Sequence, residues 1–453
     1  ELSIFFNEMI VKKTLLKNLH VINPCADPAL LENAYVAIAG DTIESVSSSE
    51  PSGEFDVVHD LCGKTALPGM INAHHHLYSA LAVGMPLPKN NPRNFNEILE
   101  QVWWEMDLAL DHDSTQACFE AGLVDSLKAG TTTIIDHHCS PSYIEGSLSL
   151  LAETSEKLGL NISTAFEISD RNGQEIFAAS LQENIAAISK FSATQYVHPM
   201  LGLHASFTLS AASLRKIRDA AGKLDTWGIH SHVSEDKADE ADALNKGYNS
   251  VLERLEEFDL LNENGLIIHG LHIKDSDLEL IQKHGSQFVH NPSSNANNRV
   301  GMTPNQNLNK LKSGLGTDGM QSNMLREGKE GMLIRSSHLE GGEDSVDYMQ
   351  LLFKNNAEIA SKLFSGSHGS SRKLGYILPK YQADLAIFDY LPRTPISEST
   401  IFGNIFFGLS GLPCDVMTRG EFRIRDYQLL DVSEQEIKAN AVEQAKKLWS
   451  NFN

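Results

Sequence analysis

Six side chains at widely separated points of this chain have the types and spacing needed to hold a metal ion and move protons beside it. His74 and His76 flank His75 in Ala73-His74-His75-His76-Leu77, directly after the apolar run Ala66-Leu67-Pro68-Gly69-Met70-Ile71. In a strand, side chains alternate between faces, so His74 and His76 point one way and His75 the other. Two imidazoles on one face at a strand end can grip one metal ion. An isolated His-x-His is more often a polar loop with incidental histidines, and the rest of the chain is what reverses those odds. His232, in His230-Ser231-His232-Val233-Ser234-Glu235, is a third ligand candidate, and Asp318, ending Gly314-Leu315-Gly316-Thr317-Asp318, is a fourth. Three imidazoles and one carboxylate suit a single divalent ion, zinc first, with Fe(II) or Mn(II) as alternatives. Such an ion lowers the pKa of a coordinated water toward ~7. Glu235, three residues after His232, is expected to take the water proton and pass it to a leaving nitrogen. His269, ending Leu266-Ile267-Ile268-His269, is expected to hydrogen-bond the charge that develops at the attacked carbon.

Other polar and aromatic side chains are candidates for the pocket around such an ion. His137 and His138 follow Asp136, where they either close the pocket or orient a ligand. His204, Tyr78 and Trp103 are expected to contact substrate. His290-Asn291-Pro292-Ser293-Ser294-Asn295 reads first as loop-forming Asn-Pro chemistry. His20, His59, His112, His198, His272 and His284 receive no role, since most histidines of an enzyme are not ligands.

These residues need a scaffold that brings strand ends together. Eight short apolar runs alternate with helical stretches such as residues 119–128 and 150–158, the signature of a parallel α/β architecture. The first covers residues 66–76. The others are Thr132-Thr133-Ile134-Ile135-Asp136, Ile162-Ser163-Thr164-Ala165-Phe166-Glu167, Met200-Leu201-Gly202-Leu203-His204, Gly228-Ile229-His230-Ser231-His232, Leu266 to His269, Gln287-Phe288-Val289-His290 and Gly314 to Asp318. Every run ends in His, Asp or Glu. A (β/α)₈ TIM barrel predicts this, because its active sites lie at the C-terminal rim of the strands. An open doubly wound sheet would not require it.

Residues 14–66 look β-rich, with a hairpin turn at Gly40-Asp41, and strand-like runs recur at residues 383–389 and 415–421. The two chain ends are therefore expected to form one small composite β-sandwich. The division expected is residues 1–66 for its N-terminal part, 67–370 for the barrel and 371–453 for its C-terminal part plus a terminal helix.

Composition narrows the partners. The chain has 453 residues, 41% of them apolar, and a formal net charge of −22. A barrel needs roughly 250 residues, so one fits with chain to spare. The acidity disfavours nucleic acid and anionic membranes, leaving a small-molecule substrate and a homo-oligomer open. Five cysteines without a Cys-x-x-Cys argue against a disulfide scaffold or a thiolate zinc site, and a reducing cytoplasm is the natural location. No run reaches the ~18 apolar residues of a membrane span. Residues 1–8 read as an extension before Met9, and Ile4-Phe5-Phe6 is too short for a signal-peptide core. There is no internal repeat, P-loop or dinucleotide glycine fingerprint.

Taken together, these motifs resemble the amidohydrolase superfamily, in its cytosine/guanine/chlorotriazine deaminase-like section. Residues 67–76 resemble its strand-one signature and Gly202-Leu203-His204-Ala205-Ser206-Phe207-Thr208 its strand-four segment. The motifs at residues 230–235, 290–295 and 315–319 resemble those of strands five, seven and eight. The resemblance implies a mononuclear metal on His74, His76, His232 and Asp318, with Glu235 and His269 as proton-transfer and electrostatic partners. It implies a metal-dependent hydrolase that attacks an sp² carbon of a small aminated heterocycle or cyclic amidine and releases ammonia. Chloride displacement or cyclic amide opening at the same site is the alternative, and a catalytically silent binding barrel is a distant one. Trp103-Trp104-Glu105, the segment 136–141 and the segment 389–395 are similar to an aminohydrolase branch linked with selenate metabolism. Two segments depart from the family pattern, Pro379-Lys380-Tyr381-Gln382-Ala383-Asp384 and Gly403-Asn404. Both lie outside the metal motifs. No motif matches the triad that fixes one known substrate, so substrate identity does not carry over.

Overall fold

The chain passes from one sheet into another at Gly69. In a computed structural model describing residues 11–86, 88, 90–338, 345–365, 372–409 and 411–451, five strands precede this point. They are β1 (Lys13–Ile22), β2 (Leu30–Ala39), β3 (Thr42–Ser47), β4 (Val57–Asp60) and β5 (Thr65–Pro68), all in one sheet. The next, β6 (Met70–His75), belongs to a different sheet. The run at residues 66–76, expected as one strand, is thus two. A Cβ at Gly69 would collide with the Thr132 side chain, so only glycine permits this change of sheet. The Gly69 N–H donates to the Asp384 carbonyl and the Met70 N–H to the Gly130 carbonyl, each at 2.9 Å, holding the crossing between the two layers.

From β6 onward the strands run parallel. They are β7 (Thr131–Asp136), β8 (Asn161–Thr164), β9 (Val197–Pro199), β10 (Leu201–Ala205), β11 (Ile229–Val233), β12 (Leu266–His269), β13 (Gln287–His290) and β14 (Gly314–Leu315). They pair as β6-β7-β8-β9 and β10-β11-β12-β13-β14. Only Met200 separates β9 from β10, and its N–H donates to the Thr164 carbonyl at 2.8 Å, so the two act as one interrupted strand. Parallel bridges Ile168↔Leu203 and His75↔Asp318 join the two sheets into a closed ring of eight strands. β8 and β14 are shorter than their apolar runs suggest. Beyond Thr164 and Leu315 the chain is held by single bridges rather than a ladder, which leaves Glu167 and Asp318 at the rim.

Strands buried on both faces need helices around them. Ile71, Ala73, Ile135, Ala165, Ile268 and Val289 form one buried cluster with Ile359 and Leu363 of the helix Asn356–Phe364. Leu123, Leu127, Leu148 and Leu151, from the helices His112–Lys128 and Ser147–Leu158, cover β7 and β8. Each such leucine contributes about 2 kcal/mol on burial. The helix His112–Lys128 starts at a capping box between Asp111 and Ser114.

The remaining strands, β15 (Leu385–Phe388), β16 (Asp415–Thr418), β17 (Glu421–Arg425) and β18 (Gln428–Leu429), return to the first sheet. β15 lies antiparallel to β5 in the order β18-β17-β16-β15-β5-β1-β2-β3, with β4 on β1. Leu16, Val36, Ile38, Leu385 and Ile387 share its core, so both ends of the chain build it. The terminal helix Glu434–Ser450 packs Ala445 and Leu448 against Cys118 and Leu81, and the Trp449 indole N–H donates to the Leu81 carbonyl at 2.9 Å. Among the described residues no helix is long and apolar enough to cross a membrane. The expected extension at residues 1–8 and the boundary at 370/371 lie outside the described residues, and the boundary at 66/67 falls inside β5.

Candidate metal centre

The end of β6 delivers two histidines into the barrel mouth. His76 leaves the strand as a short helical turn begins at Leu77, whose N–H donates to Asp136 Oδ1 at 2.7 Å. The His76 Nδ1–H donates to the His137 carbonyl at 2.6 Å, and the His232 Nδ1–H to the His204 carbonyl at 2.8 Å. Each neutral ring then carries its lone pair on Nε2. Those two Nε2 atoms face each other at 3.2 Å. Asp318 Oδ1 lies 2.8 Å from His76 Nε2 and 3.1 Å from His74 Nε2. The other nitrogen of His74 is 2.8 Å from His230 Nε2. Lone pairs and a carboxylate converging in a buried space repel one another unless a cation lies among them. The donor set therefore fits a divalent ion of the N/O-binding kind.

The metal-free electrostatics reflect the same convergence. Burial alone would lower His76, yet the Asp318 charge and hydrogen bond push it up to about 9. Burial would raise Asp318, yet His76 and His74 hold its carboxyl well below the usual range. A metal ion would take the place of that shared proton.

The backbone is strained at the two rim positions that matter. Asp318 has φ 55° and His269 φ 71°, left-handed values costing about 1–3 kcal/mol in non-glycine residues. Asp318 is pinned there from three sides. Its N–H donates to the His74 carbonyl at 3.0 Å, and its carbonyl accepts from the His76 N–H at 3.1 Å and the His75 Nδ1–H at 2.8 Å. His75 thus faces away from the centre, as strand alternation predicts. A Cβ on Gly316 would sit 2.8 Å from the His74 Cβ, so glycine is needed for this approach of β14 to β6.

Glu235 and His269 stand beside the ligand set. The His269 Nδ1–H donates to Asn295 Oδ1 at 2.9 Å, while its Nε2 has no hydrogen-bond partner and lies 3.5 Å from Glu235 Oε2. Asn298 donates to Glu235 Oε1 at 3.4 Å. Burial raises Glu235 to about 7, with His269 opposing and Asp318 adding to the rise. A carboxyl poised there suits proton transfer near neutral pH. His74, His232, His269 and Asp318 each place a ligand atom within 4.8 Å of the others, and His76, His137 and His232 form a second such group.

A cavity opens over this centre, floored by His76, His232, Glu235 and Asp318. Its wall includes Tyr78, Trp103 and His204 together with Phe95, Leu99, Trp104 and Phe207. His137 and His138 do not line it. The His137 Nε2–H donates to the Leu203 carbonyl at 3.2 Å, and the His138 Nε2–H to Ser140 Oγ at 2.7 Å behind Tyr78. Of the two, only His137 holds a candidate ligand, through its carbonyl to His76. Sequence reasoning missed Ser294, whose Oγ–H donates to Asp318 Oδ2, and Asn295 and Asn298, which hold His269 and Glu235. The polar run directly after β13 was the signal for all three. It also missed Asp107 and Glu167 in the cavity wall and Arg171, which pairs with both, for which no motif exists.

A closed parallel barrel carrying histidines and a carboxylate at the C-terminal ends of its strands is the framework of a metal-dependent hydrolase. The model of the amidohydrolase family matches residues 65–416, and the chain belongs to that family. A 5-methylthioadenosine/S-adenosylhomocysteine deaminase from Syntrophomonas wolfei is 26% identical over 96% of this chain and 99% of its own length. Among solved structures, an adenosine deaminase from Xanthomonas campestris with bound zinc has a TM-score of 0.78 at 19% identity, covering 97% of this chain and 99% of that one. An atrazine chlorohydrolase from Arthrobacter aurescens, complexed with zinc, has a TM-score of 0.78 at 19% identity, covering 95% and 100%.

Proposed function

We propose that this chain is a metal-dependent aminohydrolase that replaces the amino group of a small aminated heterocycle or cyclic amidine with oxygen. The observation that carries the reading is the facing pair of lone-pair nitrogens on His76 and His232, beside Asp318 and next to a protonatable Glu235. His74, His76, His232 and Asp318 would hold the ion, taken as zinc because two solved relatives of the fold carry zinc. The ion supplies Lewis-acid activation of water and of the attacked carbon's substituent.

The residues do the rest. A water oxygen adds to the sp² carbon bearing the amino group. Glu235 takes one proton from that water and gives it to the ring nitrogen of the attacked carbon–nitrogen double bond; the remaining hydroxyl proton passes to the amino nitrogen, so ammonia leaves as the carbon–oxygen double bond forms. His269, aligned by Asn295, interacts with the charge that develops on the attacked carbon's substituent. Tyr78, Trp103 and His204 confine a flat ring over the centre. The nucleoside deaminase named above supports a purine-like ring as the first substrate class to test.

The test is metal content together with ammonia and chloride release across purines, pterins, pyrimidines and triazines. Ammonia release that depends on metal supports the reading. Chloride release alone favours displacement at the same centre, as the chlorohydrolase neighbour suggests. A metal-loaded protein that turns over none of these rings counts against it.

A further inference from the structure

Two buried carboxylates in the cavity wall, and the arginine they share, take no part in the chemistry above. Asp107 and Glu167 line the same cavity as His76, His232 and Glu235, and are 2% and 6% exposed. Arg171 serves both. Its guanidinium is 3.2 Å from Asp107 Oδ2 and hydrogen-bonds Glu167 Oε1. One cation therefore faces two carboxylates, with the Cys139 thiol beside them, and among the described residues no well-formed hydrogen bond reaches Asp107 Oδ1. Among the described residues, no lysine or arginine lines the cavity to supply a second positive charge. An ion pair that served packing alone would need one carboxylate for its arginine. A second carboxylate with an unpaired oxygen at a cavity wall must either take up a proton or be met by a cation. Trp104 stands beside this group with Arg171 stacked 4.8 Å from its ring, and its indole N–H is also without a partner. Tyr78 links the two regions. Its ring is 5.3 Å from that of His76, and it lies in the fields of both Asp107 and Asp318.

We propose that Asp107 and Glu167 bind a cationic, nitrogen-rich end of the substrate, an amidinium, a guanidinium or a protonated amino-heterocycle, whose N–H groups donate to these carboxylates. The proposal rests on the aminohydrolase reading only for the position of the reacting carbon. A bound cation balances two carboxylates with two positive charges. Its flat face meets the aromatic wall at Trp103 and Trp104. A ligand carboxylate or phosphate in the same place would face like charge and be rejected. Burial, opposed by Arg171 and reinforced by Glu167, raises Asp107 to about 7, so a cation is also what keeps this group ionised at neutral pH.

The test uses the full-length, metal-loaded protein and two flat probes of one shape, benzamidine and its neutral analogue benzamide. Binding is read by calorimetry, without turnover. Benzamidine is expected to bind roughly 10- to 100-fold more tightly, the range of a charge-assisted hydrogen bond. Asp107→Asn and Glu167→Gln should each weaken benzamidine by roughly tenfold and leave benzamide unchanged, with metal content confirming an intact fold. Equal affinity for the two probes overturns the proposal, and this comparison needs no variant. Loss of benzamidine binding in Glu235→Gln but not in Asp107→Asn also overturns it, by putting the cation at the reacting end. Because binding is read apart from turnover, a protein that passes here and releases no ammonia fails only the aminohydrolase reading.

Discussion

The Nε2 atoms of His76 and His232 stand 3.2 Å apart, and as neutral rings neither can donate to the other, because each commits its proton to a backbone carbonyl. Either the proton that Asp318 draws onto His76 or a metal ion relieves this repulsion, which makes metal content the first measurement. One ion per chain is expected. His74→Ala, His232→Ala and Asp318→Ala should each lose most of it by elemental analysis. His75→Ala should keep it, since His75 bonds the Asp318 carbonyl and turns away from the centre. A protein whose metal content is indifferent to all four substitutions would have its ion elsewhere.

Glu235 lies against His269 rather than among the closest nitrogen–carboxylate contacts. Glu235→Gln should therefore keep the metal and lower kcat by roughly 10²-fold or more, the scale of a general acid–base group. Metal-free Glu235→Gln protein would make Glu235 a ligand instead.

Ser294 steadies Asp318 from the far side by donating to Oδ2. Ser294→Ala should weaken metal affinity by roughly 10- to 100-fold in a chelator competition, as expected when a ligand loses its orienting hydrogen bond. Activity of the fully reloaded variant should stay close to wild type. Unchanged affinity would mean that the strained backbone at Asp318 alone sets the ligand's position.

Glu327 offers a pH test away from the ligands. It is buried, accepts the Ser293 N–H at 3.0 Å, and burial raises it from the ordinary 4.5 to about 7. Because the folded state holds this proton more tightly than the unfolded chain, the group favours folding fully below about pH 4.5. That contribution is lost as pH rises to about 7, a span worth roughly 3 kcal/mol. Glu327→Gln should flatten this part of the stability profile and be the more stable protein at pH 8, by denaturant titration. Parallel profiles for the two proteins would show that Glu327 ionises normally.

The ligand motifs were legible because strand alternation and rim position follow from local sequence. His74, His232, His269 and Asp318 come together at one rim, with His76 against Asp318 and His232. Strands with a clear apolar run, such as Leu266–His269 and Gln287–His290, matched residue for residue. The break at Gly69 was not legible, because it depends on Thr132, a residue of the neighbouring strand. The short β8 and β14 failed for a related reason, since ladder length depends on what the neighbouring strand offers. Asp107, Glu167 and Arg171 come from two separate segments and have no spacing to read. Their meaning lies in an imbalance of charge that only the fold creates.

Asp318 closes the barrel with its backbone and faces the three histidines with its side chain. Its partner His74 is 244 residues away in sequence. Assembly of the centre and sealing of the ring therefore depend on the same long-range contact. A chain emerging from synthesis can form every earlier strand and still lack the centre until residue 318 docks on β6. Loop closure over such a distance is slow. Metal uptake during refolding would thus report on the docking of residue 318 against β6 and not on the helices and strands that precede it.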